Sequence, residues 1–280
     1  MHTDSVLCMN SRGLHRMVYH QWGSSDNERV LVCVHGLVRN GRDFDKLAKY
    51  LSREYRVICP DIAGRGKSDW LDNPEDYHIE QYLRDVMALL GRLGVKDVDW
   101  LGTSMGGIMG MTLASMPKSP IKRLILNDIG AEIPSVALKR IAGYLGSQHF
   151  KTLKEAETYL RALYTNLVNI TDKNWEQVTQ HSTRALPDGG FALHYDSTIA
   201  NNFLTLTEET INLWPIWQGV SCPVAVIHGE TSDILTAETL QAMKEQRPDT
   251  DILEVPSIGH VPSLMETDQI QWIRQWLRSH

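Results

Sequence analysis

The sequence has few of the features that mark several classes of protein. Its 280 residues contain four cysteines and no C-x-x-C pair, a pattern that fits neither a disulfide scaffold nor a zinc ribbon. No apolar run approaches the roughly 18 residues of a membrane-spanning helix. The net charge is 28 − 34 = −6, which does not favour contact with a nucleic-acid backbone. We therefore expect neither a nucleic acid nor a membrane as a partner of this protein.

The first residues also lack the apolar core of a signal peptide, because Asp4, Arg12 and Arg16 interrupt them. Three of the cysteines, Cys33, Cys59 and Cys222, lie in or beside apolar runs, which is typical of buried reduced thiols. We therefore expect a cytoplasmic protein. No sequence feature indicates an oligomeric state.

What is present is a regular alternation of short apolar runs and helical patterns. The alternation predicts an α/β fold with a parallel sheet covered by helices on both faces. A further strand at 17–22 is expected at an antiparallel edge. Buried strands are predicted at 30–35, 55–59, 98–102, 121–128, 222–228 and 252–255, and helices at 43–51, 78–93, 104–115, 236–246 and 263–278.

One segment, from Ala131 to about Trp217, interrupts this alternation. It shows no convincing buried strand, and residues 186–196 read as a loop. Helical patterns lie near 135–146, 152–164, 171–182 and 206–213. We expect a helical lid at 131–217, inserted into one catalytic core made of residues 1–130 and 218–280.

The strongest motif is G-x-S-x-G at Gly102–Gly106, between a predicted strand and a predicted helix. A serine on such a sharp turn can act as a nucleophile, and the glycines Gly102 and Gly106 leave room for neighbouring backbone. The N-terminus of the following helix favours developing negative charge. The motif predicts Ser104 as the nucleophile.

A serine nucleophile needs a base that is oriented by an acid. His260, in a G-H-x-P context after a short strand, is the predicted base. Asp233 follows the strand that ends at His228-Gly229 and is the predicted acid, because it fits the chain order serine, acid, histidine. Asp128 also ends a predicted strand and is kept as the alternative acid.

The oxyanion formed in such a reaction needs two backbone N–H donors. We expect one from Met105, after the nucleophile, and one from Leu37, after the pair His35-Gly36. His35 and Gly36 are interpreted as structural. Metal-ligand spacing is not found, and Gly64-Arg65-Gly66 lacks the strand–helix context of a dinucleotide site. We predict neither a metal nor a cofactor.

Taken together, these motifs resemble the α/β-hydrolase superfamily. The resemblance spans nearly the whole chain and implies an eight-stranded, mostly parallel sheet, a Ser-His-Asp triad, a helical cap after the sixth strand and no cofactor. It also implies that Arg65 and Ser68 belong to a structural turn. Serine at 104 departs from dehalogenases and epoxide hydrolases, so small capped carboxylesterases and lactonases are the most similar members. The motifs are HG at 35–36, DIAGRGKS at 61–68, GTSMGG at 102–107, HGETSD at 228–233 and GHVP at 259–262.

These residues predict a serine carboxylic ester hydrolase with a small-molecule ester as substrate. An alternative is a carbon–carbon bond hydrolase of dienoate ring-cleavage products, for which Arg140, Arg161 and Arg184 could hold a carboxylate. A second alternative is a ligand receptor with slow turnover. The sequence does not distinguish an ester from a lactone or a thioester, since all use the same residues.

Overall fold

The computed structural model describes residues 1–165, 167, 170–205 and 209–280. Its strands are β1 (His2–Asn10), β2 (Gly13–Trp22), β3 (Val30–Val34), β4 (Arg56–Pro60), β5 (Val98–Thr103), β6 (Ile121–Asn127), β7 (Glu132–Ile133), β8 (His149–Phe150), β9 (Thr183–Ala185), β10 (Phe191–Leu193), β11 (Ile211–Asn212), β12 (Val224–Gly229) and β13 (Asp251–Val255). Its α-helices are α1 (Asp45–Leu51), α2 (Ile79–Leu93), α3 (Met105–Ala114), α4 (Ser135–Ala142), α5 (Leu153–Leu163), α6 (Asp172–Ser182), α7 (Ile199–Thr205), α8 (Trp214–Gly219), α9 (Ala237–Gln246) and α10 (Thr267–Ser279). Short 3-10 helices at Gly41–Phe44 and Pro74–Asp76 lie just before α1 and α2.

Eight strands form one sheet in the order β1-β2-β4-β3-β5-β6-β12-β13. Six neighbouring strands of this sheet run parallel to one another, namely β4, β3, β5, β6, β12 and β13. The other two, β1 and β2, form an antiparallel edge. The apolar runs predicted all of these strands except β1. In β1 the buried Val6 and Cys8 alternate with the exposed Leu7 and Met9, so apolar residues on both faces obscure the pattern. The eight-stranded, mostly parallel sheet is confirmed.

Helices cover both faces of this sheet, because its central strands are apolar on both sides. In β3, Val32 and Val34 pack in the cluster that includes α2, α3 and α9. Leu31 and Cys33 point the other way, into the cluster that includes α1 and α10. Such two-sided burial is expected of a parallel strand. It confirms the predicted layers of helix, sheet and helix.

The predicted helices match α1, α2, α3, α9 and α10 with small differences at their ends. Capping residues set where each helix begins and ends. At the start of α2, His78 caps the helix by accepting a hydrogen bond from the backbone N–H of Gln81. The helix ends at Gly94, whose φ of 68° suits glycine. Within the described ranges, no helix is long and apolar enough to cross a lipid bilayer.

The segment between β6 and β12 contains α4 to α8, of which α4, α5 and α6 match its helical patterns and α7 and α8 were not predicted. No convincing buried strand was expected there, and the strands that the structure shows are short and only partly buried. The expected loop at 186–196 was wrong in part, because it contains β10. Strands β8, β10 and β9 form a small sheet, and β11 pairs with β7. These strands span two or three residues, too few to show a periodic pattern. Part of the predicted helix at 206–213 lies outside the described residues, and Ile211–Asn212 is a strand.

Candidate active site

The turn between β5 and α3 holds Ser104 in an unusual backbone conformation. Its φ is 51° and its ψ is −113°, a combination of backbone angles that residues other than glycine rarely adopt. Glycine is required on both sides of the turn. A Cβ on Gly102 would collide with the backbone of Gly106, and a Cβ on Gly106 would collide with Val34. The turn therefore places Ser104 at the carboxyl end of a central strand, as the motif predicts.

His260 lies beside Ser104. Its Nε2 is 3.1 Å from Ser104 Oγ, although 156 residues separate the two. The loop that carries His260 is fixed at both ends, because Glu230 accepts a hydrogen bond from the N–H of Ser257 and Asn127 donates one to the carbonyl of Pro262. The structure thus brings together the two side chains that the sequence analysis paired.

Asp128 completes the hydrogen-bonded chain. Its Oδ2 lies 2.7 Å from His260 Nδ1. The carboxylate also accepts hydrogen bonds from the N–H of Gly229 at 2.9 Å and from the hydroxyl of Ser232 at 2.6 Å. Asp128 is fully buried, so these donors replace the water that its charge would otherwise need. With Nδ1–H directed at Asp128, Nε2 of His260 is free to accept the proton of Ser104.

Asp233 does not occupy this position, so the expectation that it contacts His260 was wrong. Its carboxylate oxygens lie 2.6 and 2.8 Å from the guanidinium of Arg140 on α4. Partial burial acts to raise the pKa of Asp233, but the hydrogen bond and charge of Arg140 outweigh it and lower that pKa. Both Asp128 and Asp233 fit the chain order serine, acid, histidine. Only the sheet order, in which β6 lies beside β5, brings Asp128 to the site.

Leu37 and Met105 both lie near Ser104. Met105 begins α3 directly after Ser104, and Leu37 follows Gly36, where an added Cβ would lie 3.8 Å from the Cβ of Ser104. Neither the N–H of Leu37 nor that of Met105 donates to an acceptor within the described part of the chain. These two N–H groups are therefore the ones that could donate to an oxygen bound at Ser104.

The loop that carries Leu37 is fixed by buried side chains. His35 donates from Nδ1 to the carbonyl of Gly36 at 2.7 Å and accepts at Nε2 from the N–H of Ile62 at 3.0 Å. Complete burial lowers the pKa of His35 to about 4, so the ring is neutral at pH 7. Arg65 donates from Nε to the carbonyl of Leu37 at 2.8 Å. In this structure His35 and Arg65 make framework contacts.

Ser104 and His260 line a cavity of about 120 Å³. The segment inserted between β6 and β12 contributes Ile141, Tyr144 and Tyr164 to its walls. Other large residues of that segment, such as Trp175 and Trp217, are buried in the core. The volume is below the roughly 300–1,000 Å³ of a typical small-molecule pocket, so the cavity fits a short group.

The arginines that the sequence analysis considered as carboxylate ligands do not line this cavity. Arg140 pairs with Asp233, Arg161 pairs with two acidic side chains, and Arg184 lies over the ring of Trp70. Arg39, which the sequence analysis did not single out, does line the cavity. A single arginine in a loop belongs to no periodic pattern or motif, so no sequence signal marks it.

Away from the cavity, folding brings Cys8, His15 and Asp85 together, with possible ligand atoms within 4.8 Å of one another. Sequence spacing hides this group, because His15 and Asp85 are 70 residues apart. His15 Nε2 lies 2.8 Å from Asp85 Oδ2, so the histidine and the carboxylate are already partners. Burial and the neighbouring Asp85 raise the pKa of the Cys8 thiol to about 12, which keeps it protonated.

The chain also matches known proteins. The model of the α/β-hydrolase fold family matches residues 29–266. The chain belongs to the α/β-hydrolase family. Among curated relatives of this α/β hydrolase, 3-hydroxybutyrate-oligomer hydrolase from Cupriavidus necator is 42% identical over 95% of this chain and 94% of its own length. The 2-(acetamidomethylene)succinate hydrolase of Mesorhizobium japonicum is 26% identical over 82% of this chain and 81% of its own length. A crystallised protein of Rickettsia typhi is 35% identical and superposes with a TM-score of 0.94 over all of both chains. The chain is an enzyme of the hydrolase class.

Proposed function

We propose that this α/β hydrolase cleaves carboxylic esters through an acyl-enzyme intermediate on Ser104. The observation that carries the proposal is the hydrogen-bonded chain Ser104–His260–Asp128, in which Ser104 and His260 line the cavity and Asp128 is buried behind them. Each member has one role. Ser104 is the nucleophile, His260 is the base and then the acid, and Asp128 orients the imidazole and stabilises its charged form.

The reaction proceeds in two balanced halves. Ser104 Oγ forms a bond to the ester carbonyl carbon while His260 Nε2 takes the hydroxyl proton. The N–H groups of Leu37 and Met105 donate to the oxyanion, whose collapse breaks the bond to the alcohol oxygen. His260 gives its proton to that oxygen. A water molecule then attacks the acyl-enzyme, His260 takes and returns a proton, and the acid leaves with Ser104 restored.

Two observations support a substrate class, the size of the cavity and the name of one relative. The relative with 42% identity is a hydrolase of 3-hydroxybutyrate oligomers. A cavity of about 120 Å³ suits one short unit of a chain-like substrate at a time, with any further units extending outward. We therefore place the enzyme on short oligoesters of small hydroxyacids. Residues 131–217 act in this proposal as the lid, and the enzyme acts in the cytoplasm.

The deciding experiment compares Ser104→Ala with wild type on p-nitrophenyl butyrate and on the 3-hydroxybutyrate dimer. Turnover should fall at least about 10⁴-fold, and labelling by a fluorophosphonate should disappear. Ser115→Ala is the matched control, because Ser115 lies at the far end of α3 and bonds to Thr112. Its activity should equal that of wild type.

The same assay separates the alternatives. Turnover by Ser104→Ala above one hundredth of the wild-type rate contradicts a serine nucleophile. Turnover of a 2-hydroxy-6-oxo-dienoate without turnover of esters favours carbon–carbon hydrolysis. Wild-type rates below about 0.01 per second on every ester favour a ligand receptor, since ordinary enzymes run near 1–1,000 per second.

A further inference from the structure

Arg39 lies in the same cavity as the proposed nucleophile. It follows Leu37 by two residues in the loop after β3, and it lines the cavity together with Ser104 and His260. Among the described residues that line this cavity, Arg39 is the only one with a permanent positive charge. Its ion-pair partner Asp43 lines the cavity as well, so the wall carries a charged pair where a neutral ester needs none.

The guanidinium of Arg39 is held in place by neighbours. Nε lies 2.9 Å from Asp43 Oδ2, Nη2 pairs with Asp43 Oδ1, and Nη1 donates to Ser182 Oγ at 2.8 Å. The ring of Tyr164 lies 4.9 Å from the guanidinium carbon. Arg39 thus has one edge and one face fixed, so it loses little freedom when it binds a further group.

Stability alone does not account for this arrangement. The side chain of Arg39 is only 15% exposed, and a buried ion pair contributes little net stability because both charges lose their water. A guanidinium has five N–H donors, and Asp43 and Ser182 accept three of them. Two N–H groups remain for a further acceptor, with the hydroxyl of Tyr164 beside the guanidinium. The hydroxyl group of Tyr164, which lines the same cavity, can add a further donor.

We propose that Arg39 binds a free carboxylate of the substrate, so that the enzyme prefers hydroxyacid oligoesters that end in an acid over neutral esters. The inference rests on the proposed function, because it names the substrate class of that same site. In a hydroxyacid dimer the carboxylate belongs to the unit that leaves as the alcohol. Binding that carboxylate at Arg39 would hold the leaving group while Ser104 attacks the ester carbonyl.

The test uses two substrates that differ only at the acid end, the 3-hydroxybutyrate dimer and the same dimer capped as a primary carboxamide. Wild type should have the higher kcat/KM on the acid. Arg39→Gln should lower kcat/KM on the acid by about 10- to 100-fold, chiefly through KM, because charge-assisted hydrogen bonds are lost. Its kcat/KM on the carboxamide should stay within about threefold.

Two further variants separate binding from a structural role. Arg42→Gln removes another arginine from the same turn, one that pairs with Asp45 and does not line the cavity, and it should leave both substrates unaffected. Asp43→Asn breaks the ion pair but keeps the Arg39 charge, and it should keep the preference for the acid. Equal losses on both substrates in Arg39→Gln and Asp43→Asn would show a structural ion pair and overturn the proposal.

A binding test that keeps Arg39 in place does not depend on a folded Arg39 variant. Binding of the two dimers to Ser104→Ala, measured by calorimetry, should favour the acid by at least tenfold. Equal binding, or equal wild-type turnover of both dimers, overturns the carboxylate subsite while the ester hydrolase stands. Absence of turnover on every ester overturns the proposed function instead, and the calorimetric preference still decides the role of Arg39.

Discussion

Asp128 and His260 are hydrogen-bonded at 2.7 Å across 132 residues of sequence and across a strand that belongs to neither. Asp128 follows β6 and His260 follows β13, and β12 lies between those two strands in the sheet. Asp128, with a φ of 55°, turns over the end of β12 and accepts a hydrogen bond from Gly229 there. The contact between the two residues therefore depends on the order of three strands.

The first prediction separates the two candidate acids. Asp128→Asn should lower kcat by about 10³- to 10⁴-fold, because the amide no longer stabilises the charged imidazole or enforces its tautomer. Asp233→Asn should stay within about threefold of wild type, because Asp233 bonds to Arg140 and not to His260. Turnover of p-nitrophenyl butyrate by the two purified variants measures the difference.

Thermal unfolding of both variants serves as the control for folding. Equal losses of activity in Asp128→Asn and Asp233→Asn, with both proteins folded, would contradict the assignment of Asp128.

The second prediction concerns acid stability and His35. Burial lowers the pKa of His35 to about 4 in the folded protein, below about 6.5 for an unperturbed histidine. The stabilising contribution of the neutral ring is therefore complete above pH 6.5 and is lost as the pH falls towards 4. Between pH 7 and pH 5 the wild type should lose about 2 kcal/mol more unfolding free energy than His35→Gln.

Urea unfolding of both proteins at pH 7 and pH 5 measures how much more unfolding free energy the wild type loses between the two pH values. Buried histidines elsewhere in the chain are common to both proteins and cancel. Parallel pH profiles would show that His35 titrates in the folded state as it does in the unfolded state.

The third prediction compares two glycine substitutions in helices. Gly106→Ala should lower the unfolding free energy by at least about 3 kcal/mol, because its Cβ meets the backbone of Val34. Gly91→Ala, on α2, places its Cβ where no atom lies within 4 Å. It should raise stability by about 0.5–1 kcal/mol, because alanine loses less conformational freedom on folding. Denaturant unfolding of both variants decides, and a tolerated alanine at 106 would show that the turn can open.

The fourth prediction concerns the ion pair between Arg140 and Asp233. Their side chains are 45% and 42% exposed, so water and salt screen the pair. Arg140→Gln and Asp233→Asn should each change the unfolding free energy by less than about 1 kcal/mol. The change should shrink further in 1 M NaCl. A loss above 2 kcal/mol that persists in high salt would show that the pair fixes α4 more firmly than its exposure indicates.

Local patterns in the sequence predicted most of the fold. Apolar runs marked the buried strands, and the helical spacing from Ile79 to Leu93 marked α2 almost to the residue. The edge strand β1 escaped prediction because exposed Leu7 and Met9 break its alternation. The short strands β8 to β10 escaped because two or three residues form no period. Hydrophobic pattern therefore reveals strands that are apolar throughout and helices with one apolar face.

The site was less accessible to the same reasoning. Ser104 and His260 could be found because short motifs surround them. The choice between Asp128 and Asp233 depends on which strands are neighbours in the sheet, and both aspartates follow a strand in the permitted chain order. Arg39 carries no local signal at all, because only folding brings it to the wall of the cavity. The choice of aspartate and the position of Arg39 could therefore be known only from the three-dimensional structure.

The insertion between β6 and β12 has a consequence for synthesis on the ribosome. Residues of β1 to β6 emerge first, and the edge of β6 stays unpaired until β12 arrives. At roughly 5–20 residues per second, the intervening segment delays that pairing by several seconds. During this interval the nascent chain exposes an open strand edge, which invites wrong pairing. It also lacks His260, so a nascent chain with Ser104 already folded should hydrolyse nothing until its last strands have docked.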